Sequence, residues 1–184
     1  MTITPHVILE HLANGVVVGT YYVILALGLS IIFGMIGVIN LAHGAFFAIG
    51  AYAALGLKGA LGFGGAMVVS PVLVAILGMA IEAAFLRRLY KGDPLLGLLF
   101  TFGLAMVAEQ LIRIVAGAGG FPFDAPAALR GSVQLGGFVY SRYRLFTIAC
   151  TAAAIAALWL FLEKTRVGTI IRADLRKRAT PGQG

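Results

Sequence analysis

The sequence predicts an all-α polytopic membrane protein of about five transmembrane helices, with a Gly-rich break between the first two. Two observations carry this. Hydrophobic residues make up 60% of the 184, charged residues only 11%, and the mean hydropathy is +0.99, against roughly half apolar and a quarter charged in soluble domains. The apolar residues are also gathered into runs, each near the ~20 residues that cross a bilayer as helix. Backbone groups in hydrocarbon must pair within a helix or a closed barrel, and these runs lack the period-2 alternation of barrel strands.

The first run extends from about Leu12 to Phe33 and the second from about Leu41 to Leu57. Between them lies Gly34-Met-Ile-Gly-Val-Ile-Asn-Leu-Ala-His-Gly44, without a formal charge. Hydropathy alone would fuse the two runs, yet the product is about twice one span, so two segments meeting at a break fit better. Such a break frees backbone groups that lipid cannot satisfy, and it should face protein or a water-filled cavity. The third run, Leu61 to Leu86, contains Pro71, which removes one helical hydrogen bond and should kink the helix there. It ends abruptly in Arg87-Arg-Leu-Tyr-Lys-Gly-Asp-Pro94. Leu95 to Val115 is the fourth span, and Leu145 to Leu162 is the fifth. In the polar stretch between these two, Ser132 to Tyr140 alternates partly around Gly136-Gly137, which reads equally as a small hairpin cap or an irregular loop. The chain is thus one membrane domain over residues 1–172 and a basic, disordered tail over 173–184.

The net charge of +7 does not point to nucleic acid, because Lys and Arg stand at the ends of apolar runs rather than on a polar face. They set orientation instead. With five spans, Arg87, Arg88, Lys91, Lys164, Arg166, Arg172, Arg176, Lys177 and Arg178 share one side; Lys58, Arg113, Arg130, Arg142 and Arg144 share the other. The basic-rich side is expected to be cytoplasmic, which places the N-terminus outside and the C-terminus inside. No Lys or Arg precedes the first run, unlike a secretory signal, so no cleavage is expected. Cys150, the single cysteine, reads as a small packing residue within an apolar run.

Polar side chains at membrane depth are costly, so five are weighed individually. Glu109 and Arg113 are spaced i,i+4 near the outer end of the fourth span, where an ion pair or snorkelling satisfies both; a carboxylate facing the solute pathway is the alternative. Glu82 precedes Arg87-Arg88 by five residues and reads as a membrane-surface ion pair. Gln110 suits an interhelical hydrogen bond. Asn40 and His43 sit at the break, where they either cap a helix or contact a solute, and Gly34, Gly37 and Gly44 belong to the same pathway set. Gly15 and Gly19 form a small-xxx-small packing pair. Phosphate-loop, zinc-protease and nucleophile-elbow motifs are all missing, and the three histidines are too scattered for a metal site. No metal or cofactor is expected in this chain. If transport here uses ATP, a separate subunit must bind it.

The stretch Asn14-Gly-Val-Val-Val-Gly-Thr-Tyr-Tyr-Val-Ile-Leu-Ala-Leu-Gly-Leu-Ser30, continuing to His43-Gly44, resembles the opening of branched-chain amino acid ABC transporter permeases of the LivH type. The likeness continues through Gly50-Ala-Tyr52, through Glu82 and the following basic residues to Pro94, through Thr101-Phe-Gly103, and resumes at Thr165-Arg-Val-Gly-Thr-Ile-Ile-Arg-Ala173. It implies a multi-pass protein of the bacterial inner membrane, surrounded by lipid and indifferent to nucleic acid. The implied partners are a second permease subunit, two cytoplasmic ATPase subunits and a periplasmic solute-binding protein that delivers Leu, Ile, Val or a related amide. The resemblance also implies a cytoplasmic loop and further spans after Ala173. The residues Asp174 to Gly184 carry neither, so a truncated or frameshifted permease is expected. Two other functions stand as alternatives: an intramembrane enzyme pairing Glu109 with His43, and an independent secondary transporter.

Overall fold

The computed structural model describes residues 5–37, 39–89, 92–117, 119, 121, 124–135, 138–165 and 168–169. Val38, Lys91, Gly136-Gly137, Arg166, Arg172 and the tail from Ala173 lie outside the described residues. The elements are α1 (Pro5–Ile36), α2 (His43–Ile81), a π turn (Glu82–Leu86), α3 (Arg87–Leu89), α4 (Pro94–Ala116), a 3-10 turn (Ala127–Leu129), β1 (Ser132–Leu135), β2 (Phe138–Ser141) and α5 (Arg142–Lys164). Among the described residues, four continuous stretches are long and apolar enough to cross a membrane: Val7–Gly34, His43–Leu89, Pro94–Ala116 and Arg142–Lys164.

The second of these is 47 residues long, about twice what one crossing needs. It is interrupted at Gly62, whose φ of 66° and ψ of 178° lie in a region essentially reserved for glycine. Past this residue the chain doubles back. The Ser70 hydroxyl donates to the Gly50 carbonyl at 2.6 Å, whereas residues 20 apart on a straight helix are about 30 Å apart. Val74 also lies against Gly50. The arms of α2 on either side of Gly62 are therefore two segments, and the four stretches supply five membrane-length helices. Pro71 keeps helical backbone angles within the second arm, and the reversal falls at Gly62, close to the boundary between the second and third runs that the sequence predicts. The proline forfeits one backbone hydrogen bond, while Gly62 alone reaches the angles a reversal demands.

The contacts divide the chain into two compact units. One holds Gly28–Asp124: the end of α1, both arms of α2, the π turn, α3 and α4. Its closest packing uses small residues, with Ala42, Ala66, Gly97, Thr101 and Ala108 all buried. This is how helices approach in lipid, where tails are as apolar as side chains and the hydrophobic drive between helices is lost. Helix α4 is well delimited by its own sequence. Asp93 accepts the Leu95 amide at 2.9 Å, and Pro94 occupies the first helical position, where it lacks only an N–H that would be unpaired anyway. Phe85 of the π turn stacks on Phe100 of α4 with ring centroids 5.4 Å apart.

The other unit holds the chain up to Leu27 and from Ala125 onward. Here β1 and β2 form an antiparallel hairpin with Ser132 opposite Ser141 and Leu135 opposite Phe138, so the hairpin form of this loop holds. Buried Tyr140 donates its hydroxyl to the Ala13 carbonyl of α1 at 2.9 Å. Arg144, at the start of α5, hydrogen-bonds the Asn14 side chain and lies over the Tyr140 ring. Large apolar side chains such as Leu12, Tyr22, Val68, Leu99, Ile114 and Trp159 stay exposed, as expected for surfaces turned to lipid or to neighbouring subunits.

Candidate functional site

The break between the first two spans is shorter than the sequence suggests. Helix α1 continues through Gly34 to Ile36. Gly37, with φ of 76°, then ends it in the left-handed conformation, its amide bonding the Phe33 carbonyl at 2.7 Å. Gly37 and residues 39–42 are non-helical, and α2 begins at His43.

Three groups hold this segment. The Asn40 side-chain oxygen accepts the Ala42 amide at 3.0 Å, and its backbone carbonyl accepts the His43 amide at 3.2 Å, an Asx turn that starts α2. Ala42 is buried at 1% exposure. The Leu41 amide donates to the hydroxyl of Thr101 on α4 at 3.2 Å, and that hydroxyl donates to the Leu98 carbonyl at 3.0 Å. Thr101 stands seven residues beyond Pro94, about 10 Å into α4, so the break is held well inside the unit. The half-buried His43 imidazole seats over Gly28 of α1, where a Cβ would lie 2.6 Å from Nε2. Among the described residues, the Asn40 side-chain amide and the His43 ring nitrogens have no hydrogen-bond partner.

Beyond the break, the first arm of α2 and α4 flank a groove of about 550 Å³. Gly44, Ala45 and Ala48 of α2 and Ala105 of α4 make its floor. Tyr52 forms part of the wall, and Glu109 and Arg113 stand on the α4 side. Arg113 donates from Nε and Nη2 to Glu109 Oε1, at 3.2 and 2.7 Å. Both side chains remain more than half exposed, so the pair holds a geometry more than it adds stability. Gly44 thus joins Glu109 and Arg113 at one groove. At the far end of the unit, Glu82 meets Arg87 at 3.5 Å, the i,i+5 spacing that the π turn brings onto one face.

Thr101 and Tyr52 were not weighed as site residues on the sequence. The available signal was a hydroxyl inside an apolar run, which is ambiguous because Thr satisfies itself on its own helix. Thr101 does this and also reaches the break.

Several membrane-length helices with a non-helical segment held between them are an architecture that transport proteins use. A family model described as "Branched-chain amino acid transport system / permease component" matches residues 11–174. The chain belongs to this family. It is 26% identical over 185 residues to the high-affinity branched-chain amino acid transport system permease protein BraD of Pseudomonas aeruginosa. It is 27% identical over 180 residues to the corresponding LivH proteins of Salmonella typhimurium and Escherichia coli K12. Each alignment covers 90% of this chain and 58% of the relative, so the chain spans under two thirds of those proteins. No solved structure matches. The family is one of transport permeases and not of enzymes, which removes the basis for an intramembrane enzyme built on Glu109 and His43.

Proposed function

We propose that the chain is a membrane-spanning permease component of an ATP-driven importer of branched-chain amino acids or a related small polar solute. The carrying observation is the non-helical segment 39–42, fixed by Asn40 and Thr101, with the Asn40 amide and the His43 ring beside it. Segments of this kind persist at membrane depth where they are buried in protein or line a water-filled cavity, and a polar amide and imidazole without partners among the described residues favour the cavity. The family match over residues 11–174 supports the same reading. Asn40, His43, Gly34, Gly37 and Gly44 are the pathway residues, with the last three keeping side-chain bulk away from the path.

In this reading the subunit works beside a second permease, two cytoplasmic ATPases and a periplasmic solute-binding protein, and it needs no cofactor of its own. The end carrying Arg87 and Arg88 faces the cytoplasm, and the end carrying Lys58 and Arg113 faces outward. ATP-driven closure of the ATPases shifts the paired permeases between outward- and inward-open populations, as any ligand with unequal affinity for two states shifts them.

The test is uptake of labelled leucine, isoleucine and valine in a host lacking its own branched-chain uptake. This chain would be supplied with the second permease, the ATPase subunits and the binding protein of its own genome. ATP-dependent accumulation of at least one of the three is expected. Failure to accumulate any of them, with all subunits in the membrane fraction, overturns the substrate assignment.

A further inference from the structure

We propose that the groove between the first arm of α2 and α4 binds a zwitterionic amino acid, with Arg113 receiving the carboxylate and Glu109 the ammonium. The inference rests on the transport reading for its biological sense, but its evidence is the groove itself. At about 550 Å³ the space falls in the ordinary range for small-molecule sites. Its floor of Gly44, Ala45, Ala48 and Ala105 leaves room for a branched apolar side chain without displacing any of the protein's own.

The charged pair is only partly used by its internal contact. Arg113 places Nε and Nη2 on Glu109 Oε1, which leaves Arg113 Nη1 and Glu109 Oε2 without partners among the described residues. Both groups stand one helical turn apart on the same face of α4, matching a ligand whose two charges are separated by a single carbon. A ligand with one charge would leave the opposite protein charge unmatched, so the site discriminates by the penalty on the wrong ligand as well as by attraction to the right one. A zwitterionic lipid headgroup offers the same two charges. The small-residue floor favours the free amino acid, and the test separates the two.

The experiment is ligand-observed NMR on the purified chain in phosphatidylglycerol nanodiscs, which contain no zwitterionic lipid. The probes are leucine, N-acetylleucine (anion only) and leucinamide (cation only). Leucine should bind about tenfold more tightly than either analogue, the worth of one charge-assisted hydrogen bond. Glu109→Gln should abolish the preference for leucine over N-acetylleucine, weakening leucine and relieving the unmatched-charge penalty on N-acetylleucine. Arg113→Gln should do the same with respect to leucinamide. A purely structural pair would weaken all three ligands together. Equal affinity for the three ligands in the unsubstituted chain overturns the proposal without reference to any variant. Binding of phosphatidylethanolamine, but not leucine, through the same two residues overturns it in favour of a lipid site. Leucine binding with no uptake would remove the transport reading and keep this site, whereas uptake without binding here would do the reverse.

Discussion

Thr101 holds the amide of Leu41 across 60 residues of sequence, and in doing so ties the one non-helical segment between the first two spans to the helix it must pack against. The hydroxyl works in both directions, accepting from Leu41 and donating to the Leu98 carbonyl. At 1% exposure it has no access to water as a substitute partner.

Thr101→Val keeps the shape of the side chain and removes both hydrogen bonds. It should destabilise the unit by about 1–3 kcal/mol, the cost of leaving a buried donor unsatisfied. Thr101→Ser should retain most of the stability. Thermal unfolding in nanodiscs measures the difference; equal midpoints for the Val variant and the parent would mean that the contact carries no weight.

Gly28→Ala should be disruptive because its new methyl would fall 2.6 Å from His43 Nε2 and 2.8 Å from Cε1. The ring has to leave its seat, at a cost of roughly 1–3 kcal/mol for overpacking. Gly44→Ala meets nothing within 4 Å and should leave the unfolding midpoint in place. A Gly28→Ala protein as stable as the Gly44→Ala protein would show that the histidine is free to move.

Gly62→Ala places a Cβ on a backbone with φ of 66° and ψ of 178°. The strain should cost about 1–3 kcal/mol, with the reversal in α2 loosened first. Hydrogen exchange in the two arms, near Gly50 and Ser70, reports it directly. Protection unchanged from the parent would place the reversal elsewhere.

Asn40→Ala and His43→Ala should lower uptake more than Gln110→Ala. Asn40→Asp, which keeps the acceptor for the Ala42 amide, separates the Asx turn from the free amide. If the turn is the whole role of Asn40, the Asp variant transports normally; if its amide meets the solute, the Asp variant fails with the Ala variant. Small and equal effects at Asn40, His43 and Gln110 would argue for packing alone.

In a Cys150→Ala background, a cysteine at Asp124 should react with an impermeant maleimide added outside intact cells, and one at Arg88 only after the membrane is opened. The reverse pattern would invert the orientation drawn from basic residues.

Much of the architecture could be read along the chain because it depends on neighbours in sequence. Asp93-Pro94 announces the start of α4, and apolar length alone announces the spans. Glu109 and Arg113, one turn apart, could be paired on spacing. Legibility fails where a choice depends on distant partners. The boundary between the second and third runs is legible to within a few residues, but several glycines lie close to Gly62 and nothing local marks which of them turns the chain. The partner of Thr101 is illegible for the same reason, since it is brought near only by the fold. The groove was half visible: its charged wall lies on one helix and could be anticipated, but the small-residue floor is assembled from two.

The bond from the Tyr140 hydroxyl to the Ala13 carbonyl spans 127 residues. During synthesis at about 5–20 residues per second, the start of α1 waits roughly 6–25 s for its clamp to be made. Over that interval the first helix enters the membrane and must persist on apolar length alone. Its N-terminal part is thus inserted well before the residue that secures it is made.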